Sequence, residues 1–463
     1  MSAAGGRWRT AGAAAVAQPW DALMIAAAAY LLVGAARIHT LVPGAHLIRP
    51  GLLFAAIGML AYLQSSHPER SLQRLRHPIA LCMGFVVAWA TLGAPFGLYP
   101  GNSIRFLLTN FYTTVLLLFL VAAAVRDVMD LRRMLGIYAA GAVVFSIFAA
   151  LPGGYRSIGT GGYDANDSAM FVVSALPLTA YYAVTARGGL ARIVWAAGMV
   201  VCTIAVVRSG SRGAFLAFGA VVIYQLLFFR ALRPGWRIAG AAALVVCLLF
   251  AAAREPEYWE RMSTLRNLDE DYNTTEIAGR RQIWARGVGY ALQNPVLGVG
   301  IHNFSVAEGL HPTIVRLLNE GIGVKFSAAH SVWVEVAAEL GLVGFAAFVG
   351  AFLVTAVEVI RLRRRARIRG DPVSRELSGM ADAMGAVIVG AAVAGTFLSQ
   401  AYGCILWGIM GLTLAVFKVA ESAAVPVESS VYAAVPGRGP WLRPSVLYDP
   451  RAASPHPGTV PGR

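Results

Sequence analysis

The chain has 463 residues, of which 57% are hydrophobic and 14% charged, with a mean hydropathy of +0.62. A soluble domain carries about 25% charged and about 45–50% apolar residues, so a string of soluble domains is excluded. The net charge of +15 would point to nucleic acid in a soluble protein. Here it is mostly arginine in short loops between apolar runs, which marks membrane orientation and no nucleic-acid partner.

In chain order, residues 1–20 read as a cytoplasmic N-terminal segment. Arg7 and Arg9 precede the first apolar run, but no clean polar cleavage region follows it, so it reads as a span and not a signal peptide. Spans are predicted near 21–38, 51–64, 78–99, 104–125, 134–151, 167–186, 190–207, 212–229 and 236–253, so that 21–253 holds nine transmembrane helices. Residues 254–328 form a polar extracytoplasmic (periplasmic) loop, too long for a passive connector. Residues 329–419 add a helix beginning near His330 and spans near 342–360, 381–399 and 401–419. The last two spans share a short connection around Gln400, which leaves a re-entrant pair open. Residues 420–463, rich in Pro, Gly, Ser and Arg, read as a disordered cytoplasmic tail. The predicted fold is all-α: a polytopic membrane bundle of about twelve helices with a large outer loop carrying short helices.

Charge tests that count. With the N-terminus inside, the inner loops hold Arg70, Arg74 and Arg76, then Arg126, Arg132 and Arg133, then Arg187 and Arg192, then Arg230, Arg233 and Arg237, and finally the run from Arg361 to Arg369. Outer loops hold single or paired arginines, and one missed span would spoil the alternation. Both termini are therefore expected in the cytoplasm.

A basic residue on the outer side works against insertion polarity, so Arg156, Arg208, Arg212, Arg280 and Arg281 are the informative cations. Arg212 lies in Ser209-Gly210-Ser211-Arg212-Gly213-Ala214, before an apolar span. Ser211 can cap that helix, whose free N–H groups favour an anion, and the arginine fork fits phosphate oxygens. Snorkelling to lipid headgroups is the alternative. Arg280 opens a segment in which Ile283, Trp284, Val288, Ala291 and Leu292 recur at helical spacing, with Arg280 on the face of Trp284. That spacing fits a helix lying on the membrane surface with this face toward the bundle, or a lid helix with a solvated arginine. The helix stops at Asn294-Pro295, and Gly298 and Gly300 shape the next turn.

His330, in Ala328-Ala329-His330-Ser331, has a side chain that can act as a general base near neutral pH, or simply be structural. Glu335 and Glu339 fall roughly 140–180° around a continuous helix from it and are not expected to orient its ring. His39, His46, His67, His302 and His311 have no comparable setting. The Gly159–Asp167 loop, with Asn166 and Asp167 ahead of a span, is either a binding loop or a plain turn and cap. Cys82, Cys202, Cys247 and Cys404 lie in apolar runs without a CxxC pair. No metal site, nucleotide loop or cofactor motif emerges.

The order of spans resembles the O-antigen ligase / O-antigen polymerase family of bacterial envelope glycan enzymes over about residues 100–419. The resemblance is carried by Ser211-Arg212-Gly213-Ala214, the glycine loop with Asn166-Asp167, Gly279-Arg280…Ile283-Trp284 with Asn294-Pro295…Leu297-Gly298-Val299-Gly300, and His330 with Glu339-Leu340-Gly341-Leu342-Val343-Gly344. The family often has Asn after the histidine, where this chain has Ser331. The resemblance implies a GT-C-like helical fold in the bacterial inner membrane with its active site facing the periplasm. It implies a glycan donor on undecaprenyl diphosphate, and as acceptor a sugar hydroxyl on lipid A core or on another glycan. It further implies Arg212 and Arg280 as diphosphate binders, His330 as the base and inversion at the anomeric carbon, without metal or other cofactor. Arg156, Arg208, Arg281 and Asn166 are secondary candidates. Ligase and exopolysaccharide polymerase remain alternatives. A lipid or glycan transporter would call for matched halves and deep charges, which the sequence lacks.

Overall fold

The computed structural model describes residues 18–423 apart from 43, 152–163, 230–233, 254–278 and 324–325. Arg156, most of the N-terminal segment, the first third of the long loop and the tail from 424 lie outside the described residues.

Helix starts follow local chemistry. α1 (Ala22–Gly34) begins on Asp21, whose carboxylate accepts the Met24 N–H at 2.9 Å. Proline at the first helical turn, where no N–H partner is needed, opens α2 (Pro50–Leu63), α3 (Pro78–Gly93) and α4 (Pro100–Phe106). α4 continues through a π-helical turn, Leu107–Phe111, into α5 (Tyr112–Ala124). Then come α6 (Val128–Ala149), α7 (Ala165–Thr185), α8 (Gly189–Arg208), α9 (Arg212–Phe228) and α10 (Pro234–Ala252). A capping box starts α7: Asp164 accepts the Asp167 N–H and Asp167 accepts the Asp164 N–H. The long loop contributes α11 (Arg280–Gln293), α12 (Phe304–Leu310) and α13 (Pro312–Asn319). α14 (Val332–Arg369), α15 (Pro372–Gly395) and α16 (Cys404–Ser422) complete the bundle.

Among the described residues, eight helices are long and apolar enough to cross a membrane, with α4 and α5 counted as one. α1, α2, α9 and the central part of α10 are shorter apolar helices. No strand occurs among the described residues. The protein is a polytopic helical membrane protein, as its composition predicts. α15 and α16 are helices of 24 and 19 residues joined through a turn, each long and apolar enough to cross a membrane.

α7, α15 and α16 form the interior, packing Phe171, Met384, Val387, Trp407 and Met410 out of contact with the surroundings. Outer helices turn leucines such as Leu60, Leu81 and Leu190 outward, as a lipid-facing surface requires. One end of the bundle is held by ion pairs: Arg70–Asp21 at 2.6 Å, Arg126–Asp130 at 2.6 Å, Arg126–Asp21 at 3.0 Å and Arg132–Glu376 at 2.8 Å. These arginines belong to the predicted inner loops, and here they join the ends of α1, α5, α6 and α15. The opposite end carries α11, the start of α14, the end of α15 and the start of α16.

Candidate functional site

Arg212 is the first residue of α9, and the Ser211 hydroxyl caps that helix by accepting the Ala214 N–H at 3.2 Å. The absence of a side chain at Gly213 lets the Phe397 ring approach: a Cβ there would meet Phe397 carbons at 2.9–3.1 Å. Arg280 is the first residue of α11, one turn before Trp284. The Trp284 ring lies 6.1 Å from that of Phe397, and its Nε1–H donates to the Ala329 carbonyl at 3.0 Å. The next residue, His330, donates its backbone N–H to Ser399 Oγ at 2.8 Å. Gly213 beside Arg212, Trp284 one turn after Arg280, and the His330 backbone therefore all approach one turn, 396–400, between α15 and α16. Both arginines stand at the positive end of a helix dipole, where a cation is disfavoured and an anion favoured.

His330 has φ of 48°, a left-handed conformation uncommon outside glycine but accessible to histidine. The helix begins only after it, at Val332, with the Ser331 hydroxyl as its cap. Ser331, where the resembled family often has Asn, thus has a definite local role. The helical-wheel separation of Glu335 and Glu339 from His330 does not apply, because His330 is out of helical register.

The other candidates fall as follows. Arg208, exposed at the last turn of α8, donates to the Ala150 carbonyl at the end of α6. Arg281 is exposed on the first turn of α11. Asn166 is the second residue of α7, and its N–H donates to Asp164 at 2.8 Å, so Asp164 is the cap and not Asn166. Arg156 lies outside the described residues. On α11 the buried face is Ile283, Gly287, Tyr290 and Ala291, whereas Val288 and Leu292 are exposed, contrary to the predicted face. Gly287 rotates the helix this way: its bare Cα packs directly on Val334 and Phe304.

The glycine turn after α11 is interlocked with a break in α14. Gly341 has φ 67° and ψ −178° inside an otherwise continuous helix. The carbonyls freed at the break are taken by the turn: Val299 N–H donates to Ala338 at 2.8 Å and Gly300 N–H to Glu339 at 3.0 Å. Leu342 N–H donates back to Pro295 at 2.7 Å, and Trp89 Nε1–H reaches the Leu340 carbonyl at 3.0 Å. The Glu339 carboxylate, buried at 2% exposure, accepts the His302 N–H at 2.7 Å and the Phe304 N–H at 2.9 Å, so it seats the start of α12. A second clamp holds that helix. Arg286 of α11 makes a two-point pair with Glu308 of α12, at 2.8 and 2.5 Å, and Tyr290 donates to the same carboxylate at 2.9 Å. Arg286→Ala would leave Glu308, 1% exposed, without its cation. It is expected to cost about 3–5 kcal/mol, read as a lower unfolding temperature of the detergent-solubilised protein, with Arg286→Lys recovering part.

Beside His330 opens a polar cavity of about 620 Å³. Its walls include Ala328 and Ala329, the acids Glu335 and Glu339, and Arg37 at the end of α1. Phe106 and His302 add an aromatic wall, their rings stacked at 4.1 Å and 8° apart. Tyr402 closes it; burial, then the neighbouring carboxylates of Glu339 and Glu335, raise the pKa of its phenol and keep it protonated. Burial lowers the pKa of His302 and favours its neutral form. His302, which the sequence gives no distinctive setting, thus lines this cavity. The signal sequence reasoning had in hand was the glycine turn immediately before it, Gly298 and Gly300. Among the described residues, no group of three or more His, Cys, Asp or Glu side chains is arranged to hold a metal ion.

Residues 197–349 match the family described as O-Antigen ligase. No curated protein matches the chain. The matched segment contains Arg212, Arg280, His330 and the interlocked glycine turn and break at Gly341. That segment, about a third of the chain, is what is similar to the O-antigen ligase family.

Proposed function

We propose that the protein is a glycosyltransferase that moves a glycan from an undecaprenyl-diphosphate carrier to a sugar hydroxyl of lipid A core or of a second glycan. What supports this most is that the segments carrying Arg212, Arg280 and His330, all within the matched residues, approach the same 396–400 turn. In this reading Arg212 and Arg280 hold the donor diphosphate, with Arg208, Arg281, Asn166 and Arg156 as secondary contacts. The acceptor oxygen attacks the anomeric carbon, the bond from that carbon to the diphosphate oxygen breaks, and His330 takes the hydroxyl proton. The bond electrons leave with the carrier diphosphate, and attack opposite the leaving group inverts the centre.

The guanidinium groups stabilise the charge that grows on the leaving group, a place where fixed charge lowers a barrier most. The carrier diphosphate is already an activated leaving group, so the scheme needs neither nucleotide nor metal. The arginine-rich end of the bundle then faces the cytoplasm with both termini. The site faces the periplasm, where the lipid-linked donor is presented.

The test is transfer by the purified protein from a lipid-linked glycan to lipid A core or to a second lipid-linked glycan, with and without chelator. Product with released undecaprenyl diphosphate, unaffected by chelator, is the expected result. The acceptor used separates ligase from polymerase, and intact donor with every acceptor overturns the reading. Arg212→Ala and Arg280→Ala should each weaken donor binding on the order of tenfold, the worth of one charge-assisted contact. Lysine at either position should restore only part, because it keeps the charge and loses the fork.

A further inference from the structure

The polar cavity beside His330 shares Ser399 and Gln400 with the 396–400 turn but is lined by neither Arg212 nor Arg280. We propose that it is the acceptor subsite, holding a pyranose ring that presents the attacking hydroxyl. This rests on the glycan-transfer reading and goes beyond it by assigning residues to the acceptor.

Four observations carry it. First, the cavity, at about 620 Å³, lies within the about 300–1,000 Å³ typical of small-molecule sites, and it is polar inside a bundle whose exterior is apolar. Second, the Tyr402 hydroxyl lines the cavity beside the Glu339 carboxylate, with the residue 7% exposed, where it can exchange a hydrogen bond with a ligand hydroxyl. Third, the two acids differ. Both Glu339 oxygens already accept backbone N–H groups, whereas Glu335 uses only one, Oε2, for the Ala401 N–H at 3.2 Å. Its second oxygen remains to accept a sugar hydroxyl. Fourth, the stacked Phe106 and His302 rings form a flat wall of the kind that meets the C–H face of a pyranose. Phe106 leads directly into the π-helical turn, an irregularity that recurs at functional sites.

The same geometry selects acceptor over donor. Among the described residues, none from α9 or α11, which carry Arg212 and Arg280, lines the cavity. Its wall runs instead through Ala328 and Ala329 to the residue directly before His330. The base therefore stands at the boundary between the two sites, where the hydroxyl losing its proton must lie.

The experiment measures steady-state KM for donor and acceptor in Glu335→Gln and Phe106→Leu, together with binding of deacylated core oligosaccharide or delipidated repeat-unit oligosaccharide in the absence of donor. Expected is a rise in acceptor KM on the order of tenfold in Glu335→Gln, loss of oligosaccharide binding, and an unchanged donor KM. Phe106→Leu leaves the Glu335–Ala401 bond alone and should shift acceptor KM in the same direction. It decides the matter if Glu335→Gln does not fold. A donor KM that rises while acceptor KM stays put overturns the assignment, as do folded variants with both constants unchanged. Wild-type protein that binds the oligosaccharide but transfers nothing would strike the glycosyltransferase reading and leave the sugar site standing. Wild-type protein that transfers glycan but binds neither oligosaccharide overturns the subsite alone.

Discussion

His330→Ala is expected to lower glycan transfer by at least about 10²-fold, within the roughly 10²–10⁴-fold that a positioned general base supplies. The variant should still insert, fold and retain the lipid-linked donor. The reason lies in the bonds. One contact at this position, the His330 backbone N–H to Ser399, does not depend on the side chain. The left-handed φ of 48° is tolerated less well by alanine than by asparagine, so His330→Asn is the better-controlled variant: it keeps the backbone and removes the base. Both variants should elute and melt near the wild type while their transfer rates collapse together. A folded His330→Asn protein with wild-type turnover would remove the histidine from the chemistry. Donor retention must be measured alongside, because loss of retention would assign His330 to binding instead.

Much of the scaffold was legible because lipid imposes a simple rule: each crossing needs an apolar helix that satisfies its own backbone. Runs such as 134–151 and 190–207 declare themselves, and their helices lie at Val128–Ala149 and Gly189–Arg208. Arg212 and Arg280 stand out as candidates for a related reason, since charge in a loop predicted on the outer side is conspicuous. What could not be read is whatever depends on contacts between distant segments. Nothing near His302 announces that it will stack on Phe106, almost two hundred positions earlier, and nothing near Glu308 announces Arg286. Periodicity also misjudged α11, because a glycine, not a large apolar residue, sets its buried face. The helical wheel does not apply to His330 and Glu335, because the backbone at His330 is left-handed and the helix begins only at Val332.

The break in α14 gives the sharpest structural prediction. Gly341→Ala is expected to destabilise the protein by more than about 4 kcal/mol, in the range reserved for named structural failures. Its φ and ψ, 67° and −178°, lie in a region open essentially to glycine, which alone costs about 1–3 kcal/mol for another residue. A methyl group there would also sit 2.5 Å from the Val296 carbonyl oxygen and 2.7 Å from that of Pro295. Relief would require the 295–300 turn to move, and that turn satisfies the carbonyls of Ala338 and Glu339. The same interlock seen from the other side predicts a like effect for Gly298→Ala, whose Cβ would lie 2.4 Å from the Glu339 carbonyl carbon. Gly350→Ala, further along the same helix, meets only the Cys82 sulfur at 3.4 Å and should be near neutral. Thermal unfolding in detergent separates the cases. If Gly341→Ala melts with Gly350→Ala, the interlock does not hold the site. If it melts far below, donor retention and transfer should fall together. That pattern differs from His330→Asn, where only transfer falls, because the break positions Glu339, the start of α12 and the wall of the cavity at once.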